Sequence, residues 1–231
     1  MSKPDETYTL YSYFRSSASA RVRTLMALHH IPYDVKFIHL LKQEQSSDEY
    51  TKLNGSQTVP TLVVQPGQGD KWNLGQCIAI MEYLDEKWGP QSKYGRLLPE
   101  NAKDRALVRS IVDQVVGDLF PMLNSATLGA VTDFGGDKIK WAEKWSDKFL
   151  MALERLVSKT STNGKYCYGD SLTLADVSLA PQMYTVLRFY PQALEKVPTV
   201  KSIFENISKL PEFVQADYKH QPDTPDELRE N

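Results

Sequence analysis

Residues 8–30 read YTLYSYFRSSASARVRTLMALHH, and this stretch decides the fold that we predict for the first part of the chain. Residues 8–14 are short and aromatic, which favours a β-strand. Residues 15–19 are small and polar, as in a loop that can cap a helix. Residues 21–30 are rich in helix formers and place apolar side chains on one face. The stretch therefore predicts a strand, a capping loop and a helix in succession.

The same alternation continues up to residue 88. We predict further strands at 34–41, 59–64 and 71–74, and helices at 48–53 and 77–88. The order β-α-β-α-β-β-α needs a parallel crossover in its first half and a hairpin in its second half. This order is typical of a thioredoxin-like domain. The sequence has no Cys-x-x-Cys motif, so we do not expect disulfide exchange by the protein's own thiols.

The sequence changes character after a linker at residues 89–99, GPQSKYGRLLP, which has proline and glycine at its start and proline at its end. Apolar residues then recur every three or four positions, which predicts long helices at about 102–123, 138–157, from 173 onward, and at 199–210. We therefore divide the chain into an α/β thioredoxin-like domain at 1–88, the linker, and an all-helical bundle at 100–231.

Composition excludes several classes of partner. The chain has 231 residues and a net charge of -2, from 27 basic and 29 acidic residues, so no field of one sign is available to attract nucleic acid. No apolar run approaches the roughly 18 residues that span a bilayer, so we expect no membrane association. Two cysteines and four scattered histidines predict neither a disulfide framework nor a metal site. We expect a reducing, cytoplasmic location.

The loop at residues 15–19 is the first candidate for chemistry. A helix N-terminus offers free N–H groups and partial positive charge, and a serine hydroxyl there can donate to an anion. A thiolate held at this place would be stabilised, and its pKa would fall. Because the loop has no cysteine, that thiolate would come from a bound molecule. The alternative is that Ser16, Ser17 and Ser19 only cap the helix.

Two further segments could bind a peptide-like ligand. If the Val59–Pro60 bond is cis, the N–H and C=O groups of Val59 are free to pair with a ligand backbone as an extra strand would. The alternative is a trans proline on an edge strand. Gln76 and Cys77 open the next helix and could bind a carboxylate. They could instead only cap that helix, and Cys77 could be either a reactive thiol or a small buried residue.

Residues 173–176, TLAD, form a variant of the capping box, with a hydroxyl at the N-cap and a carboxylate three residues later. We interpret this motif as folding information for the helix that follows.

Taken together, these motifs resemble the glutathione transferase family. Residues 11–23, YSYFRSSASARVR, are similar to the signature of its zeta class, whose members include maleylacetoacetate isomerase. The similarity extends to segments 53–54, 59–62, 76–77, 168–176, 180–182, 221–225 and 227–229, and so covers nearly the whole chain. The first motif is specific to the class, whereas the Val-Pro and capping-box motifs are shared across the superfamily.

The resemblance implies a site for glutathione as the cofactor in the first domain. Ser17 would donate its hydroxyl to the glutathione thiolate, with Ser16 beside it. The remaining implied contacts with glutathione are made by Ala18, Ser19, Gln45, Val59, Pro60, Gln76, Cys77 and Asn124. Of these, Val59 before a cis Pro60 would pair with the cysteinyl backbone, and Gln76 and Cys77 would hold the γ-glutamyl carboxylate.

The resemblance also implies a substrate pocket in the helical domain. Arg188 matches an arginine that meets a substrate carboxylate, although its side chain could equally be an exposed helix cation. Phe120 stands where the family often has glutamine, which makes the pocket more apolar. The family also has cysteine in place of Ala18, an aromatic residue or histidine in place of Ala20, and serine in place of Cys77. We expect these departures to weaken or alter the activity without abolishing it.

The implied activity is the glutathione-dependent isomerisation of maleylacetoacetate to fumarylacetoacetate, in tyrosine and phenylalanine breakdown, by a homodimer. One alternative is a general conjugating or peroxidase-type transferase, which Ala18, Ala20 and Phe120 would favour by opening the pocket to apolar electrophiles. Another is a transferase-like module without catalytic activity, used for assembly. The Ser16–Ser17 pair argues against the hypothesis of a module without catalytic activity.

Overall fold

The computed structural model describes residues 6–230, which divide into two compact units. The first unit comprises residues 6–95 together with 214–230, and the second comprises residues 96–213. The sequence-based division placed everything after residue 99 in the helical domain. The contacts instead assign the C-terminal segment to the first unit, because its side chains bond to the loop after the first strand, as described below.

The first unit contains a four-stranded mixed sheet and three α-helices. Its elements in chain order are β1 (Glu6–Ser12), α1 (Ser17–Leu28), β2 (Asp34–Phe37), α2 (Asp48–Leu53), β3 (Thr61–Pro66), β4 (Trp72–Gly75) and α3 (Cys77–Trp88). The strands lie in the order β2-β1-β3-β4. β1 and β2 are parallel, whereas β3 is antiparallel to both β1 and β4. The predicted order of elements, with its crossover and hairpin, is confirmed.

The core of this unit follows from alternation in β1 and from the apolar face of α1. Tyr8, Leu10 and Ser12 are buried along one face of β1. Leu25 and Met26 of α1 are fully buried, and α1 packs against α3. These contacts fix α1 against α3, so the first turn of the helix has a defined position after the end of β1.

Helix α1 begins at Ser17, four residues earlier than predicted. Ser16 is its N-cap, and the Ser16 side chain accepts a hydrogen bond from the Ser19 N–H. Residues 17–20 are small and buried, so they fit in the helical conformation against the sheet. The prediction of a loop through residue 19 is therefore wrong in its second half.

The second unit is helical. Its helices are α4 (Ala102–Asp113), α5 (Phe120–Leu123), α6 (Ser125–Asp133), α7 (Lys138–Thr160), α8 (Leu174–Phe189) and α9 (Pro198–Ile207). A further helix, α10 (Pro211–Ala216), crosses the boundary between the units in the chain. The predicted helix at 102–123 is interrupted by a π-helical turn at Gln114–Leu119. Pro121 lacks an N–H to donate, which weakens the α-helical pattern before it.

The carboxylate of Asp176 joins the start of α8 to the loop before it. Its Oδ2 accepts hydrogen bonds from the Thr173 N–H at 2.9 Å and the Thr173 hydroxyl at 3.0 Å. Its Oδ1 accepts one from the Cys167 N–H at 2.7 Å. Burial raises the pKa of Asp176 to about 6, so the carboxyl group is ionised at neutral pH. The capping box is confirmed, and it also fixes the preceding loop.

Within residues 6–230, no helix combines the length and the apolar character needed to cross a bilayer. The same residues contain no group of three or more histidine, cysteine or acidic side chains that could hold a metal ion.

Replacing Asp176 with asparagine should lower the free energy of unfolding by about 3 kcal/mol. The amide would turn one N–H donor toward the N–H of Thr173 or Cys167, leaving a buried donor without an acceptor. Urea denaturation of the two proteins measures this difference as a lower midpoint at an unchanged slope. Asp170→Asn, an exposed carboxylate in the same loop, is the matched control and should leave the midpoint in place. Equal midpoints for Asp176→Asn and the natural sequence would contradict this role.

Candidate functional site

The N-terminus of α1 is closed by a turn in which Ser16 has a structural role. The Ser16 N–H donates to the Tyr13 carbonyl at 3.0 Å, and the Ser16 Oγ accepts from the Ser19 N–H at 3.1 Å. Capping, the alternative that the sequence left open, therefore accounts for the oxygen of Ser16. Its hydroxyl proton is not used by that bond.

Ser17 is placed differently. It is the first residue of α1, its exposed fraction is 8%, and its hydroxyl has no hydrogen-bond partner among the described residues. The first turn of α1 carries no acidic side chain that would compete with an external anion. A hydroxyl donor and the partial positive charge of a helix N-terminus thus meet at one point, where an anion such as a thiolate is stabilised.

The residues after Ser17 contribute packing. Ala18 and Ser19 are both buried, and the Ser19 Oγ has no partner among the described residues. Ala18 provides no polar side-chain atom, so the hydroxyl of Ser17 is the one in the first helical turn that is left for a ligand beside the N-cap Ser16.

The Val59–Pro60 peptide bond is cis, as the resemblance implies. Tyr50 in α2 and Asn54 at the C-terminal end of α2 hold the residues on either side of this bond. The Tyr50 hydroxyl lies 2.7 Å from the Thr58 carbonyl and 2.8 Å from the Thr61 Oγ1. The Asn54 Nδ2 donates to the same two oxygens, at 3.0 Å and 2.8 Å. The backbone of Val59 is thereby fixed at the start of β3.

Tyr50 and Asn54 were not among the predicted site residues. Local sequence indicates only that Asn54 ends a helix, since the pairing with residues 58 and 61 depends on the folded path of the chain. In the sequence, a tyrosine within the short, polar helix DEYTKL is a signal that could have pointed to a supporting role, and in the structure this side chain is buried.

Gln76 and Cys77 begin α3 as predicted. Gln76 is the exposed N-cap and adopts a positive φ of 67°, an uncommon conformation for a residue with a side chain. Its side chain makes no capping bond, so the first N–H groups of α3 remain available to an anion. Cys77 is buried, and its Sγ lies 3.9 Å from Nη1 of the fully buried Arg21. Burial lowers the pKa of Arg21.

Gln45 lies in a 3₁₀ turn at Glu44–Ser46. Its Nε2 donates to the Gln43 Oε1 at 3.0 Å, whereas its own Oε1 is buried without a partner among the described residues. That oxygen is an unused acceptor in the first unit.

Three predicted residues lie in the second unit. Asn124 is the N-cap of α6, and its Oδ1 accepts from the Thr127 N–H at 2.8 Å. Phe120 is half-buried at the start of α5, directly after the π-helical turn. Arg188 is exposed near the end of α8, with its guanidinium 5.0 Å from the centre of the Phe189 ring. Asn124 thus has a local structural role that the sequence had not indicated.

An open cavity of about 790 Å³ lies along α4 and the π-helical turn, lined by Arg105, Arg109, Asp113, Gln114 and Gly117 among others. Phe120, Asn124 and Arg188 do not line it. The cavity is lined by polar and apolar atoms in similar measure and contains charges of both signs.

Comparison with known proteins gives the family of this chain. Residues 6–86 match the family model for the glutathione S-transferase N-terminal domain, and residues 135–215 match the model for the glutathione S-transferase C-terminal domain. The maleylacetoacetate isomerase maiA of Aspergillus fumigatus is 38% identical over 222 residues, which covers 96% of this chain and 94% of the relative.

Two solved structures extend the likeness to three dimensions. A maleylacetoacetate isomerase from Anaeromyxobacter dehalogenans, with glutathione bound in its active site, matches with a TM-score of 0.84 and 35% identity, covering 96% of this chain and 99% of that one. A bacterial maleylpyruvate isomerase, a glutathione S-transferase of the zeta class, matches with a TM-score of 0.84 and 31% identity, covering 94% and 100%. This chain therefore belongs to the glutathione S-transferase family, and within it to the zeta class with the maleylacetoacetate isomerases.

Proposed function

We propose that this protein is a glutathione-dependent isomerase that converts maleylacetoacetate to fumarylacetoacetate in tyrosine and phenylalanine breakdown. The observation that carries the proposal is the hydroxyl of Ser17, which has no partner among the described residues and lies at the N-terminus of α1. Relatives with the isomerase name align along nearly the whole chain, which supports the choice of substrate.

Glutathione fits the residues of the first unit. Ser17 donates its hydroxyl to the thiolate, and the helix N-terminus adds favourable electrostatic potential. Val59 pairs through its backbone with the cysteinyl part of the tripeptide, beside Pro60. Gln76 and the N–H of Cys77 hold the γ-glutamyl carboxylate at the N-terminus of α3. Gln45 offers its unused Oε1 to a donor of the ligand.

When bound, glutathione supplies a thiolate that adds reversibly to the cis double bond, so rotation becomes possible and the cofactor is regenerated. The chain's own residues hold and orient the reactants, which lowers the entropic part of the barrier. Ser17 keeps the sulfur ionised, and backbone N–H groups at the two helix ends stabilise negative charge. In the second unit, Arg188 takes a substrate carboxylate, while Phe120 and Asn124 shape the pocket.

Ala18 leaves the reaction dependent on Ser17. The class pattern has a thiol at this position, and the alanine here supplies no acid, base or nucleophile. Ser16, whose oxygen caps α1, contributes at most its hydroxyl proton beside the sulfur.

We also propose a cytoplasmic homodimer. The two cysteines of the chain, Cys77 and Cys167, are both free and buried, which suits a reducing compartment.

Ser17→Ala should lower kcat/KM for the isomerisation at least ~10-fold, equivalent to about 1.4 kcal/mol, because the thiolate loses its hydroxyl donor. Steady-state kinetics at saturating glutathione measure the change. The urea midpoint should stay in place, since no described residue bonds to this hydroxyl. A variant with unchanged kcat/KM would sink the proposed role of Ser17.

Ser16→Ala should instead destabilise the fold by about 1 kcal/mol, because the Ser19 N–H loses its capping acceptor. Ser16→Asn is the matched control, since asparagine is an equally good N-cap and should restore the urea midpoint. If Ser16→Ala and Ser16→Asn unfold at the same urea concentration as the natural sequence, Ser16 does not act as a cap in solution.

The activity itself is tested with maleylacetone, a stable analogue of the substrate, in the presence and absence of glutathione. We expect cis-to-trans conversion that requires glutathione, with no net consumption of the thiol. Conversion at the same rate without glutathione would refute the proposal. Conjugation of an aryl chloride without any isomerisation would replace it with a general transferase. Retention on a glutathione matrix without turnover of either compound would indicate a binding module.

A further inference from the structure

We propose that the C-terminal segment, residues 214–230, positions the catalytic turn at residues 13–17, and that Asp223 is the positioning residue through which it acts. The inference rests on the proposed function, since Ser17 is the group that is positioned. It assigns a role in catalysis to a part of the chain that follows the helical unit in sequence and packs with the first unit.

Asp223 holds the backbone of the turn directly. The Phe14 N–H donates to the Asp223 Oδ2 at 2.8 Å, across 209 residues of sequence. Phe14 follows the end of β1, where its N–H has no strand to pair with, so the carboxylate satisfies a group that would otherwise be buried without an acceptor. The second oxygen, Oδ1, is buried and has no partner among the described residues. The interaction is therefore directed through one oxygen to one backbone group.

Arg23 holds the same turn and also bonds to the C-terminal segment. This side chain of α1 is 2% exposed and donates to the Ser12 Oγ at 2.9 Å, the Tyr13 carbonyl at 3.3 Å and the Phe14 carbonyl at 3.1 Å. Its Nε also donates to the Ala216 carbonyl at 3.0 Å, in the C-terminal segment. Burial lowers the pKa of Arg23 to about 10, so the guanidinium remains charged at neutral pH.

The position of Ser17 follows from these contacts in three steps. Asp223 and Arg23 fix the peptide groups of Tyr13 and Phe14. The Tyr13 carbonyl also accepts the Ser16 N–H, which sets the N-cap. The N-cap in turn determines where the first helical residue places its hydroxyl. A donor that must meet a thiolate has a tolerance of about 0.5 Å, so a small shift of the turn would reduce catalysis.

A purely structural role for the segment is the competing explanation. Tyr218 packs against the cluster formed by Tyr13, Phe14, Tyr50 and Val59, and such packing would stabilise the unit without setting the turn. The two explanations differ in what happens when the segment keeps its packing but loses its bond to Phe14. Variants of Asp223 and of a second polar residue of the segment allow the two explanations to be compared.

Arg229 is that second residue. It is exposed, and its Nη2 donates to the carbonyls of Pro222 at 3.2 Å and Thr224 at 2.8 Å. These bonds hold the backbone on either side of Asp223, and among the described residues none of the bonds of Arg229 reaches the turn at residues 13–17. Its removal loosens the segment while the bond from the Phe14 N–H to Asp223 is kept. Arg229→Ala is therefore the matched control for Asp223→Ala. Asp223→Asn is the conservative variant, since its amide oxygen can still accept from the Phe14 N–H.

The experiment measures isomerase kinetics of the full chain and its three variants with maleylacetone and glutathione. We expect Asp223→Ala to lower kcat about tenfold. The Kd for glutathione should change less than twofold, because Val59, Gln76 and Cys77 supply most of the proposed contacts with the tripeptide. Asp223→Asn should recover at least half of the kcat, and Arg229→Ala should stay within twofold of the natural sequence. The proposal is overturned if Asp223→Ala keeps its kcat, if Arg229→Ala loses as much, or if asparagine restores nothing.

Amide hydrogen exchange in the absence of substrate separates this proposal from the proposed function. Asp223→Ala should speed exchange at Phe14 and Ser16 at least tenfold, and Arg229→Ala should not. Should the natural sequence show no isomerase activity, the proposed function fails, yet this exchange pattern still tests the positioning of the turn. Equal exchange rates in both variants would overturn the positioning role whatever the activity.

Discussion

The capped N-terminus of α1 is the constraint on which the proposed chemistry depends. Ser16 provides the acceptor that the first turn needs, through its bond with the Ser19 N–H, whereas the hydroxyl of Ser17 has no partner within residues 6–230. One serine thus supports the helix while the other is available to a ligand. The favourable potential of the helix end acts on whatever anion that hydroxyl meets.

The rest of the first unit fixes the positions of this helix end and of the other groups proposed to contact glutathione. The sheet and α3 fix the axis of α1, while Arg23 and Asp223 fix the turn before it. Tyr50 and Asn54 do the same for the backbone on either side of Val59. The turn before Ser17 and the backbone around Val59 are therefore held by longer side chains behind them, whereas Gln45 and Gln76 offer their own side chains to the ligand. Such an arrangement loses little conformational entropy when the ligand binds.

The local sequence pattern was sufficient to predict most of the secondary-structure elements of the fold. The order of elements, the ends of the helices at 48–53 and 77–88, and the capping box at Asp176 follow from caps, periodicity and prolines within a few residues. The start of α1 and the helix Ser125–Asp133 were missed, because small, polar and β-branched residues resemble a loop in the sequence. Burial fixes the first turn of α1, and the Asn124 cap sets the start of α6. The bond that the Phe14 N–H donates to Asp223 joins distant parts of the chain, and local pattern carries no signal for it.

If the N-terminus of α1, with Ser17, keeps bound glutathione ionised as we propose, the bound thiol should titrate at a lower pH than the free tripeptide. The most direct measurement is an ultraviolet difference titration of the protein–glutathione complex, in which thiolate absorbance is followed against pH. We expect a midpoint well below that of free glutathione in the natural sequence, and a return toward the free value in Ser17→Ala. A midpoint equal to that of free glutathione in the natural sequence would contradict the claim, because the helix end would then provide no stabilisation of the thiolate.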